Sequence, residues 1–250
     1  MKLIILVTFV LVAASFPAAA QDFGGYYPVQ DEFMRDIYDP LKEVESEPSR
    51  EARSTSPRGR SAFDWSGFVA TPTIKIDHAA FDFEVDSSVR ERAVSSFLDA
   101  LSEADPENAR QLRSLPTENF FTPYDTVLPR FGLEPTNLAD TLTVYIVQAW
   151  GTANRQEETV PTKAQIAGVR DQAEATLESR VGRNDTQLQY ESDQFLLNTL
   201  AMDAMIRNAA AGKADVTADQ FAERIGAMTR EQFGVDFRTL ALTDEGLVPR

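Results

Sequence analysis

The chain holds 250 residues, with 24 Lys and Arg against 39 Asp and Glu, one His and no Cys, giving a formal net charge of −15 at pH 7. The missing cysteine excludes thiol nucleophiles, disulfide exchange and thiolate metal sites. The acidic balance argues against general nucleic-acid binding and against docking on an anionic membrane, since both need clustered Lys and Arg.

Residues 1–20, MKLIILVTFVLVAASFPAAA, open with one lysine, continue as an uncharged apolar run and end in small residues. The pattern predicts a secretory signal peptide cleaved near Ala20. The apolar run from Leu3 to Phe16 is short for a bilayer span, and Pro17 with the small residues after it suits a peptidase. Cleavage would remove Lys2 and make the chain one charge more negative. No Cys stands at the cleavage point to carry a lipid. An exported eukaryotic domain of this size ordinarily carries disulfides, whereas a bacterial one with a large core needs none. The expectation is a periplasmic or extracellular bacterial protein with no membrane insertion after cleavage.

Residues 21–62 read as a disordered tether, rich in Pro, Gly, Ser, Asp, Glu and Arg and without a sustained period of 2 or 3.6. Phe23, Tyr26, Tyr27, Phe33 and Tyr38 punctuate its first half; Arg50, Arg53, Arg58 and Arg60 make its second half basic. Residues 63–86 read as an extended lead-in. Phe81, Phe83 and Val85 alternate with Asp82, Glu84 and Asp86, which predicts a chain draped over helices with one apolar side.

From Ser87 the period becomes helical. Ser88–Glu91 reads as a capping box ahead of Ala93, Val94, Phe97, Leu98 and Leu101. Asp105-Pro106 opens a short helix to about Leu115, and Thr122-Pro123 opens another, shortened or kinked by Pro129 and closed by Gly132. Asn137 caps a helix with Asp140 in its first turn; Leu138, Leu142, Tyr145, Ile146 and Ala149 line one face, and Val144 and Val147 the other. A helix apolar on nearly every side is a central one. It is expected to end at Trp150, with a loop from Gly151. Thr162–Gln165 caps a surface helix with the stripe Ile166, Val169, Ala173, Leu177. Asp185 is expected to cap a long helix to Ala211, and Thr217–Gln220 the last one, ending at Gly234. The tail from Val235 is expected to be pinned by Phe237, Leu240 and Leu242 before it frays. The fold class is therefore all-α: a single bundle-like domain of about six helices, residues 87–250, behind the extended lead-in and the tether.

The string Phe131–Asp140, the tyrosine helix through Tyr145 to Ala149-Trp150, Val169–Ala173 and Gly234–Pro249 together resemble the bacterial domain of unknown function 6683 family, uncharacterised exported proteins. The resemblance spans roughly residues 80–249. It implies an exported all-helical domain and brings no activity or catalytic residue with it.

Few residues are candidates for chemistry. His78 is the lone histidine; no G-x-S-x-G elbow accompanies it, and it is expected to be exposed. With one His and no Cys a zinc site is not expected. Asp77, Asp82, Glu84 and Asp86 gather oxygens without a calcium-loop pattern and read as a solvated face. Glu103, Asp105, Glu157, Glu158 and Asp203 are acids that a carboxylate-pair hydrolase would draw on, and Asp203 interrupts an apolar helix. Met202 and Met205 read as core filler. No cofactor-binding motif is present and no residue is assigned a catalytic role. The expected function is a non-enzymatic binding or interaction module of the bacterial envelope, taking a protein partner or small ligand. The alternative is a carboxylate-dependent hydrolase acting on envelope material.

Overall fold

Asn137 starts the helix on which the rest is built: its side chain accepts from the backbone N–H groups of Ala139 and Asp140. The computed structural model describes residues 76–250 apart from Glu157, Glu158, Lys213 and Asp215. The signal peptide at 1–20, the tether at 21–62 and the first part of the lead-in lie outside the described residues. Within them are α1 (Ser87–Ala104), α2 (Pro106–Leu112), α3 (Thr122–Val127), α4 (Leu138–Ala153), α5 (Lys163–Thr176), α6 (Asp185–Ala210), α7 (Ala218–Phe233) and an antiparallel hairpin of β1 (Leu240–Thr243) and β2 (Gly246–Pro249). The all-α class holds, with seven α-helices and that one hairpin among the described residues. No helix among them is long and apolar enough to cross a membrane.

The central helix is α4. It packs against α5, α6 and α7, and Leu138, Leu142, Tyr145, Ile146 and Ala149 are fully buried. Tyr145 stacks on Phe233, meets Phe195 at a tilt and donates its hydroxyl hydrogen to Gln232 Oε1 at 2.9 Å. Truncating Leu142 to Ala removes a side chain with no exposure and leaves a cavity. The expected cost is about 3 kcal/mol, read as a lower urea midpoint at unchanged slope.

Several boundaries differ from the sequence reading, each for a local reason. Helix α1 is capped by Asp86, whose Oδ1 accepts from both the backbone N–H and the hydroxyl of Ser88, so the cap sits upstream of the expected box. Asn184, not Asp185, caps α6. Thr122 is already helical, because its hydroxyl donates back to the Glu118 carbonyl instead of capping forward. Helix α4 runs through Gly151 to Ala153, its end held by the Trp150 indole N–H donating to the Leu240 carbonyl. The lead-in is not extended throughout: Asp77 caps a 3-10 turn at His78–Phe81. Val85 does not follow Phe81 and Phe83 inward and is 45% exposed, since the chain is already turning into the Asp86 cap.

The tail does not fray. Asp236 accepts from the Arg238 backbone N–H and pairs with the guanidinium groups of Arg230 and Arg238, and the hairpin then lies on α5. Gly168 of α5 meets the hairpin turn directly. Gln172 makes a peptide-like pair with Leu247: its Oε1 accepts from the Leu247 N–H at 2.8 Å and its Nε2 donates to the Leu247 carbonyl at 3.0 Å. Gln189 of α6 repeats the device on the lead-in, accepting from the Asp86 N–H at 2.8 Å and donating to its carbonyl at 2.9 Å. A buried amide that satisfies both its own polar ends and those of a neighbouring backbone leaves nothing unpaired. Both flanking segments are therefore bound to the helices by side chains that act as one-residue strands.

Candidate functional site

Charged groups are drawn into the interior at two places. The first is the N-terminal end of α4. The α4 cap and the Glu134–Thr136 turn bring Asp140 under the lead-in, where its side chain is 1% exposed. Asp140 Oδ2 accepts from the Glu134 N–H at 2.7 Å. His78 approaches from the 3-10 turn with its Nε2 3.5 Å from the same oxygen. Its Nδ1 lies 2.7 Å from Glu174 Oε1 on α5. Arg170, one turn earlier on α5, reaches to 3.9 Å from Asp140 Oδ1 and donates to the Gly132 carbonyl. Asn137 Nδ2 fixes the lead-in by donating to His78 O and Asp82 Oδ1.

Burial pushes the Asp140 carboxyl up to about 6, against the opposing pull of the Glu134 N–H and the charges of His78 and Arg170. The two nitrogens of His78 face different carboxylates across the ring, so the three groups do not converge on one point. Consistently, no set of three or more His, Asp or Glu among the described residues is placed to hold a metal ion.

The second place lies between α1 and α6. Asp193, 1% exposed, has its carboxyl pushed up to about 7 by burial, moderated by the Arg90 charge and by a hydrogen bond from Gln189. Arg90 lies over the Phe121 ring at 4.6 Å and donates to Glu118 Oε2 at 2.5 Å, with its Nε 4.0 Å from Asp193. Nearby on α6, Glu191 accepts from Arg180 at 3.1 Å and from Arg183 at 2.6 Å, tying the start of α6 to the turn at Glu178–Arg180.

The residues singled out from sequence fare differently. His78 is half-buried and doubly paired, not free in solvent as expected; the turn capped by Asp77 folds it onto α5. Asp77, Asp82, Glu84 and Asp86 are exposed, as a solvated face should be; Asp82 also pairs with Asn137 and Asp86 caps α1, while Glu84 gives only its backbone N–H to Asp185. Asp105 caps α2 and Glu103 is exposed. Asp203 forms an i,i+4 pair with Arg207 on the rim of α6. Glu157 and Glu158 lie outside the described residues. Met202 is core and Met205 packs against it. Sequence reasoning missed Asp193, Glu174 and Arg170. The signal for Asp193 was the run Gln189 to Gln194 at the start of a long helix that buries all of it, whereas Glu174 and Arg170, on α5, stand in no comparable pattern.

Comparison with protein-family models, with curated proteins and with solved structures finds no match to this chain.

Proposed function

We propose that the protein is an exported, non-enzymatic interaction module of the bacterial envelope, in keeping with its resemblance to the domain of unknown function 6683 family. The observation that supports this reading most is the employment of its acids. Asp105 and Asp86 cap helices, Asp140 holds a loop N–H, Asp203 pairs with Arg207, and Glu191 anchors two arginines. The two carboxyls with raised pKa, on which the hydrolase alternative would draw, are each 1% exposed, Asp140 under the lead-in and Asp193 between α1 and α6, which favours structural roles.

The large hydrophobics exposed among the described residues are Val85, Val160 and Val181, on separate elements. The helical domain thus offers a polar face, and Phe23, Tyr26, Tyr27, Phe33 and Tyr38 of the tether supply the apolar anchors that a partner interface requires. Photocrosslinking in the producing cell, with the photoreactive group at position 26 or 27, is expected to give discrete adducts that vanish when the other four aromatics become Ser. A chain that forms no adduct from either position, or one whose purified form degrades envelope polymers and stops doing so as Asp140→Asn or Asp193→Asn, would sink the proposal.

A further inference from the structure

We propose that the half-open face of α4 is a docking strip for the chain's own residues 63–75, which return along it from Ile76. The inference depends neither on export nor on what the domain binds.

The strip is defined by burial and helical spacing. On α4 only Val144, Val147, Gln148 and Gly151 are half-buried, and every other position is buried. Val144, Val147 and Gly151 follow Asp140 at i+4, i+7 and i+11, so the four share one face. Val160, 40% exposed, stands past the far end of that face, in the connection from α4 to α5. Apolar surface left half-open on the central helix is surface that a covering segment stabilises.

The lead-in already lies on this face and already runs along it. The Phe83 N–H donates to Thr136 O, Asp82 bridges to Asn137, and His78 lies against Asp140. Each step backwards along the chain is a step forwards along α4. The lead-in is thus antiparallel to the helix, and the next turn it meets is that of Val144 and Val147. Ile76 packs against the core, so the chain is still down on the domain where the described residues begin.

The sequence upstream suits the strip. FDWSGFVATPTIK, residues 63–75, holds Phe63, Trp65, Phe68, Val69 and Ile74, with Asp64 and Lys75 as its only charges. It follows a stretch rich in Arg, Asp and Glu, and the change of character at Phe63 marks where cover for an apolar face begins. Extended, this segment spans about 40 Å. Val144 to Gly151 covers about 10 Å of helix, so the reach extends beyond the strip to Val160. Whatever binds this face of α4 from outside must displace the segment.

The chain has no Cys, so one introduced thiol is the only one a maleimide modifies. In the intact chain carrying Val147→Cys, modification is expected to run roughly ten-fold slower than in the same chain with Phe63, Trp65 and Phe68 changed to Ser, since burial of a single large apolar side chain shifts a docking equilibrium by that much or more. Gly151→Cys should show the same contrast, one turn on, and serves alone if Val147→Cys folds poorly. Val181→Cys, at an exposed site on the turn before α6, should show none. Equal rates with and without the three aromatics at the α4 positions overturn the proposal, whether the thiol is open in both chains or covered in both by something else. A contrast that fades on dilution overturns it too, because a second copy would then supply the cover.

Discussion

Lowering the pH from about 8 to about 5 is expected to stabilise the domain, by several kcal/mol at most. Asp140 and Asp193 carry folded-state pKa values of about 6 and about 7 against 3.8 for an unburied aspartate. A carboxyl whose folded value lies above its unfolded value takes up its proton first in the folded state. It therefore costs stability at high pH, and the cost shrinks as pH falls below the folded value and is gone below the unfolded one. At about 1.4 kcal/mol per tenfold, these displacements amount to roughly 3 kcal/mol for Asp140 and roughly 4 kcal/mol for Asp193, as ceilings. Asp236 runs the other way: hydrogen bonds from Arg238, reinforced by Arg230, hold its carboxyl down to about 2, so its contribution is lost as pH falls below 3.8. Urea midpoints should thus peak between about pH 4 and 5 and decline on either side. Asp193→Asn should raise the midpoint at pH 8 and flatten that limb, since an amide pays no ionisation cost there. A midpoint that rises steadily from pH 5 to 8 would contradict the assignment of buried, raised carboxyls.

The second large effect concerns glycine. A Cβ on Gly168 would press on the Gly246 backbone nitrogen and stand 2.5 Å from the Asp244 carbonyl oxygen and 2.7 Å from Glu245 C. These are backbone atoms of a turn and cannot swing aside. Gly168→Ala should therefore lift the hairpin off α5, at a cost of about 2–3 kcal/mol and roughly 4–10 °C in Tm. Gly151→Ala, at a half-buried position near the end of α4, meets nothing closer than 3.9 Å and should stabilise by about 0.5–1 kcal/mol through helix propensity. The same chemical change with opposite signs in thermal melts separates contact from propensity. A Gly168→Ala chain that melts with the wild type would refute the close approach.

The helix starts were legible because capping is a local affair. Asn137, Asp105, Thr162 and Thr217 cap where their spacing says they should, and Gly132 and Gly234 end their elements in the left-handed conformation. Misplaced starts arose where two cap formers compete within a few residues, as with Asp86 and Ser88 or Asn184 and Asp185. The hairpin was hidden because its strands are four residues long and its apolar faces, Leu240, Leu242 and Leu247, are interrupted by Asp244-Glu245. The buried charges were hidden for a different reason. His78, Asp140 and Glu174 meet across 62 and 96 positions, and nothing in the spacing of such residues marks them as neighbours. The lone polar sign, a helix whose first half is rich in Gln, Glu and Asp, marks side chains buried against the lead-in, α1 and the turn at Glu178–Arg180.

The Gln172–Leu247 pairing bears on how the protein behaves at high concentration. A two-stranded sheet has two open margins, and each is a template on which another chain can add a strand. Here Gln172 occupies both polar groups of Leu247 on the free margin of β2. Trp150 and Arg250 occupy the Leu240 carbonyl, and Gln165 the Leu242 carbonyl, on the free margin of β1. With these groups engaged, neither margin offers a continuous row of acceptors and donors, which makes the hairpin a poor template for strand addition between molecules.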